Sequence, residues 1–280
     1  MTPPTTTTRP EHAGPGTRDG RSGRPRLPGA ALPAVTVLGV LLLAELVSRL
    51  GVLPTRYFPP ASEMFVALAG QVVDPSFWVS VGQTLQGWGA GLGIAVLLAV
   101  PVGLALGTVP LLYTAVRPIV EFLRPIPSVA LIPLVVLAIG TGAASKVFLA
   151  AFAAFWQLLI PVIYGVRDTD PVARDTGRAF RLGRFGVLRW IVLPAAVPYL
   201  ATGLRIASAT ALILAVTAEL VIGVPGLGGA INLARSAGAP DRMYALIIAT
   251  GLLGWGLNAA LRAVERRVLH WHPSHREAAA

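Results

Sequence analysis

From Pro75 to Val116 the chain runs for 42 residues without a charged side chain. A helix needs only about 20 such residues to cross a bilayer, and in hydrocarbon it must pair every backbone N–H and C=O internally. The run is therefore helical and membrane-bound, too long for one span and awkward for two without polar flanks. Gln83, Thr84, Gln86 and Trp88 make its first part amphipathic and interfacial, which places a span from about Leu85 to Val109. Gly87 with Gly91 and Gly103 with Gly107 form two G-x-x-x-G spacings. Such spacings let a second helix backbone approach closely, and tight packing within one subunit is preferred to a dimer seam.

The rest of the chain fits an all-α, multi-pass membrane protein. Hydrophobic residues make up 54% and charged residues 13%, about half the charged share of a soluble domain. The net charge of +10 comes from arginines gathered at the ends of apolar spans, so it calls for no nucleic-acid partner. There is no cysteine, and His12, His270, His272 and His275 all lie in the tails. No thiol, histidine or metal centre is expected within the membrane, nor any catalytic or cofactor-binding site.

Residues 1–29 are basic, rich in Thr, Pro and Gly, and expected to be a disordered cytoplasmic tail. A first span follows from about Ala31 to Arg49, in which Glu45 and Arg49 are spaced for a helical ion pair. The segment 51–75 reads as interfacial and outside, with Ser62 able to cap a short helix. An inside turn over Pro110–Pro118 leads to a helix beginning near Ile119, and Arg124-Pro125-Ile126-Pro127 must break it. An outside turn spans Gly140–Lys146, and residues 147–166 form the fourth span. The fifth runs from about Val197 to Gly223. It holds Arg205 and Glu219, 14 residues apart, or about 21 Å along a helix, so each needs its own partner. The glycine-rich outside loop at 224–242 carries no Gly-Lys-Ser/Thr and is not a phosphate loop. Met243–Leu261 is the sixth span, and a short C-terminal tail, 272–280, follows the membrane region of 30–271. Inside segments then hold 16 Arg and Lys and outside segments 5. That asymmetry sets both termini and the central loop in the cytoplasm.

The central loop, about 167–196, is the largest polar stretch between spans and holds six arginines from Arg167 to Arg189. Its sequence resembles the EAA loop of permease subunits of ATP-binding cassette importers: Glu-Ala-Ala, three residues, Gly, nine residues, a β-branched residue, one residue, Leu-Pro. Counting back from Leu193-Pro194 puts Ile191 at the β-branched position, Arg181 at the glycine and Asp175-Thr176-Gly177 at Glu-Ala-Ala, with Gly183 two residues beyond Arg181. The spacing fits without a gap, while Arg181 in place of glycine puts the turn geometry in question. The runs Glu121–Pro127, Pro198–Ile206, Ala218-Glu219, Gly226–Gly229 and Val264–Trp271 are similar to the nitrate, sulfonate and taurine importer branch.

This resemblance implies a type I importer permease of about six transmembrane helices in a bacterial plasma membrane. Asp175, Thr176, Gly177, Arg181, Gly183, Ile191, Leu193 and Pro194 would couple it to a cytoplasmic ATPase. An extracytoplasmic binding protein would deliver a small anion to a permease homodimer embedded in membrane lipid, with no cofactor and no hydrolysis by the chain itself. Arg124, Arg205 and Glu219 are candidate path residues, although Glu219 would repel an anion and suits helix packing better. Permeases for thiamine precursors or riboflavin look similar. An ion-driven secondary transporter is the remaining alternative, and it would call for internal repeats that the sequence does not display.

Overall fold

The computed structural model describes residues 31–269 apart from 53 and 55. The tails expected at 1–29 and 272–280, with all four histidines, lie outside the described residues. The chain resolves into two compact units, one ending at Leu43 and one running from Ala44 onward, and the second carries the helical core. Regular structure among the described residues is helical: α1 (Ala31–Arg49), α2 (Ala61–Val73), α3 (Pro75–Thr108), α4 (Pro110–Leu123), α5 (Ile132–Ile139), α6 (Ala143–Arg167), α7 (Pro171–Ala179), α8 (Arg184–Val187), α9 (Leu193–Ile222), α10 (Leu227–Ser236) and α11 (Pro240–Val268).

Among the described residues four stretches are long and apolar enough to cross a membrane: α3, α6, Arg184–Ser236 with α9 inside it, and α11. The pair Pro110–Leu123 and Ser128–Ile139 is long and apolar enough only when taken together, as a broken span or a re-entrant loop, and it is bent by 80° where Arg124-Pro125-Ile126-Pro127 interrupts it. The prolines supply the cause, since neither can donate to the ladder and each ring crowds the preceding turn. α1 is helical over the residues of the first expected span, although it is not one of these stretches.

α6 lies at the centre, with α3 on one side and α9 on the other. Their common core joins Ala95, Ala99 and Leu106 of α3 to Ala154, Leu158 and Val162 of α6 and Ala207, Ala211 and Ala215 of α9. Small residues predominate because lipid tails give no hydrophobic drive between helices, so close van der Waals contact must hold them. A Cβ on Gly91 would come 2.6 Å from Ala150 Cβ, and one on Gly103 or Gly107 would come 2.6 Å from Val162 or Val166. Both G-x-x-x-G spacings thus pack within the subunit.

The boundaries differ from the sequence reading in four places. The amphipathic start at 75–84 is no separate interfacial piece: α3 is one helix of 34 residues, capped by Asp74, and buries Thr84. The expected turn at Pro110–Pro118 is the first half of α4, because Pro110 fits a helix N-terminus and Pro118 is carried inside. α6 begins at Ala143, so Lys146 lies within its first turns and not in an outside turn. The glycine-rich loop contains α10, whose Leu227, Ile231 and Ala234 are buried against α11 and Phe77.

Candidate coupling loop and translocation path

The segment between α6 and α9 rises from a fixed base. Tyr199 of α9 lies over Gly165, where a Cβ would approach its own Cβ to 2.8 Å, and its hydroxyl donates to the Asp168 carboxylate. The Arg174 guanidinium donates back to the Val166 carbonyl. Val166, Val192 and Ala196 are buried beneath the loop with Leu104, Val187 and Leu188 around them. Asp170 then starts α7, its side chain accepting from the Val172 N–H at 2.8 Å, and Pro171 fills the first helical position.

α7 ends in a turn of defined chemistry. The Leu182 N–H reaches the Gly177 carbonyl at 3.0 Å and the Arg181 N–H reaches the Arg178 carbonyl at 2.9 Å, which is the Schellman pattern. Its geometry needs a left-handed residue, and Arg181 supplies it at φ 59°, alone in this among the described non-glycine residues. The arginine therefore keeps the turn that glycine would make more cheaply; a left-handed L-residue costs roughly 1–2 kcal/mol. Gly183 leads into α8, and its carbonyl accepts the Val187 N–H at 3.0 Å. Gly177 faces Ile191, and a Cβ there would strike the isoleucine δ-carbon. The second small position of the Asp175-Thr176-Gly177 triplet and the β-branched position thus meet across the turn. Leu188–Val192 forms a π-helical turn before Pro194, which spares the proline ring a clash with the Trp190 carbonyl. Asp175 and Arg178 point outward as a 2.9 Å ion pair, 71% and 69% exposed.

A groove of about 760 Å³ runs between α9 and α11. Its walls are mainly aliphatic, with Ser208, Thr210, Thr217, Thr250 and Asn258 as scattered polar groups and Arg205 as its one charged lining residue. Arg205 is loosely paired with Glu265 of α11 at 3.6 Å. Arg124 lies elsewhere, at the end of α4 beside the helix break, lining a recess with Arg117, Glu121, Tyr113 and Tyr164.

Glu219 faces neither. Its carboxylate is wholly buried and accepts from the Lys146 ammonium at 2.9 Å, from the Thr84 hydroxyl at 2.9 Å and from the Gly228 N–H at 3.0 Å. Lys146 is 4% exposed and also donates to the carbonyls of Gln83 at 3.0 Å and Pro225 at 3.1 Å. The Thr84 oxygen accepts the Leu227 N–H at 2.9 Å. One cluster thereby ties α3, α6, α9 and the start of α10. The local glycines make room for it: Gly87 lies under the lysine stem, and a Cβ on Gly226 or Gly228 would collide with Glu219. Among the described residues no group of His, Cys, Asp and Glu is placed to hold a metal.

Residues 91–270 match the family described as "Binding-protein-dependent transport system inner membrane component". The chain belongs to this family. The taurine transport system permease protein TauC of Escherichia coli (strain K12) is 31% identical over 245 residues, covering 85% of this chain and 89% of that one. The nitrate import permease protein NrtB of Leptolyngbya laminosa is 28% identical over 200 residues, 71% of this chain and 72% of its own. In fold, the chain resembles one solved in inward facing conformations of the MetNI methionine ABC transporter, with a TM-score of 0.62 at 21% identity over 70% of this chain and 98% of that one. The fold is that of a type I importer permease, a multi-pass protein of the plasma membrane.

Within this permease the loop residues from Asp175 to Pro194 fall together, whereas Arg124, Arg205 and Glu219 occupy three separate places. The partner of Glu219 is the residue that sequence reasoning missed. Lys146 is the only lysine of the chain and stands 73 positions from Glu219. A lone lysine beside an apolar run was the one available signal.

Proposed function

We propose that this permease is the membrane subunit of an ATP-driven importer of small anions, with alkyl sulfonates such as taurine and nitrate as the substrate class. The observation that carries the reading is the loop: a short exposed helix, α7, held by a rigid base between two apolar helices and ended by a Schellman turn at the family's glycine position. An exposed ion pair such as Asp175–Arg178 is worth only about 0–1 kcal/mol. It can be given up to a charged partner at little cost, which suits docking. In this reading α7 seats in a cytoplasmic ATPase, both termini lie on the same side, and a separate binding protein delivers cargo outside to a pair of permease copies.

The groove at Arg205 is the candidate path. The Thr210, Thr217 and Thr250 hydroxyls already donate to the carbonyls of Ile206, Ile213 and Leu246, so Ser208 and Asn258 are left as weak polar groups, and one loosely held arginine attracts an anion without trapping it. Arg124, at a break where backbone carbonyls are freed, is a second candidate. Glu219, enclosed by its partners, serves as a structural clasp. The test is ATP-dependent uptake of labelled taurine or nitrate by proteoliposomes holding the permease, its ATPase and its binding protein. Arg205→Ala is expected to slow uptake at least fivefold while α7 still binds the ATPase; undiminished uptake would remove the groove from the path.

A further inference from the structure

A further cavity lies at the loop end of the molecule. It is a groove of about 690 Å³ between the α3–α4 turn, at Thr108–Pro110, and the α7–α8 segment. Arg174, Arg178 and Arg184 line it, and no acidic side chain does. Apart from Thr108 the rest of its wall is apolar, including Val109, Leu182 and Phe185, the last 77% exposed. Two of the cations have bonding capacity to spare. Arg174 is held by the Val166 carbonyl, yet its Nε is buried without any hydrogen-bond partner. Arg184 makes no ion pair with the described residues. A buried, unpartnered guanidinium N–H is costly to leave unmade, and planar guanidinium forks match phosphate oxygens.

We infer that this groove is a binding site for the headgroup of an anionic phospholipid. Three features favour lipid over a free anion. The groove opens at the turn that joins two membrane helices, the level at which headgroups lie. Its arginines stand over an apolar wall, so it takes a phosphodiester and the first methylenes of an acyl chain together. The same segment carries an interfacial anchor, Trp190, 68% exposed, with the Arg189 guanidinium 5.1 Å from its ring. A lipid bound here would brace α7 against α3 from below, independently of what the permease transports.

The experiment is native mass spectrometry of the full-length permease in mild detergent, titrated with phosphatidylglycerol, phosphatidylcholine or inorganic phosphate. Phosphatidylglycerol is expected to bind at least tenfold more tightly than phosphatidylcholine. The double variant Arg174→Gln/Arg184→Gln should weaken the anionic lipid about thirtyfold, roughly fivefold for each arginine. Arg189→Gln, outside the groove, should leave it within twofold, and circular dichroism establishes that the double variant is folded. Equal binding of the two lipids, an unaffected double variant, or displacement of phosphatidylglycerol by millimolar phosphate would each overturn the inference.

Discussion

Replacing Glu219 by Gln removes one charge from a cluster buried among four helices, with Glu219 itself wholly buried. Lys146 keeps the Gln83 and Pro225 carbonyls but loses its counter-ion. The new amide must also present its NH2 either to the lysine or to the Thr84 hydroxyl and Gly228 N–H, which already donate to that position. Breaking one side of a buried pair costs about 3–5 kcal/mol, because an uncompensated charge remains. Lys146→Met strands the carboxylate and should cost a similar amount. In the double variant both charges are gone, and the amide can accept from Thr84 and Gly228 while donating to the Gln83 or Pro225 carbonyl. Its cost should fall to about 1–2 kcal/mol, giving a coupling of several kcal/mol where distant sites simply add. The assay is SDS titration of the permease in mixed micelles, followed by tryptophan fluorescence. Additive costs, or a Glu219→Gln penalty below about 1 kcal/mol, would refute the claim that this pair clasps α3, α6, α9 and α10.

Arg181→Gly relieves the left-handed backbone and should stabilise the loop by roughly 1 kcal/mol in the same titration; Arg181→Val should destabilise it. Gly228→Ala drives a methyl into the Val216 carbonyl and Glu219, and should lower the thermal midpoint far more than Gly89→Ala, where nothing lies within 4 Å. Asp74 accepts the Ser76 N–H at 2.9 Å, which holds its carboxyl below the usual range. Its cap on α3 is therefore intact at neutral pH and should be lost only as pH falls through that depressed value, a shift readable by carboxyl carbon NMR.

Features fixed by local chemistry were legible in the sequence. Two prolines one residue apart at Pro125 and Pro127 dictate a break wherever they occur, and the structure bends there by 80°. The i, i+4 spacing of Glu45 and Arg49 gives the 2.6 Å ion pair observed, and Glu45 also accepts the Ser62 N–H at 2.9 Å. Features set by distant contacts were hidden. Lys146 reads as an ordinary flank charge until α3 and α9 close around it. α10 was masked by Gly226, Gly228 and Gly229, which in sequence signal a loop; in the fold they are small so that the helix can sit on Glu219 and Val224. Its apolar spacing at Leu227, Ile231 and Ala234 was present but short. For Arg181 the sequence posed the right question, and the backbone answers it by accepting the left-handed geometry that glycine would supply.

In the proposed function α7 and its turn link this permease to an ATPase. The most direct measurement is purification of the tagged permease from its native membrane in mild detergent, as wild type and with Asp175–Gly183 deleted, with every co-purifying polypeptide identified. The expected result is a P-loop ATPase that accompanies the wild type and is absent from the deletion, while the deleted chain remains in the membrane. An ATPase that stays bound after the deletion, or transport that persists in the wild type without ATP, would contradict it.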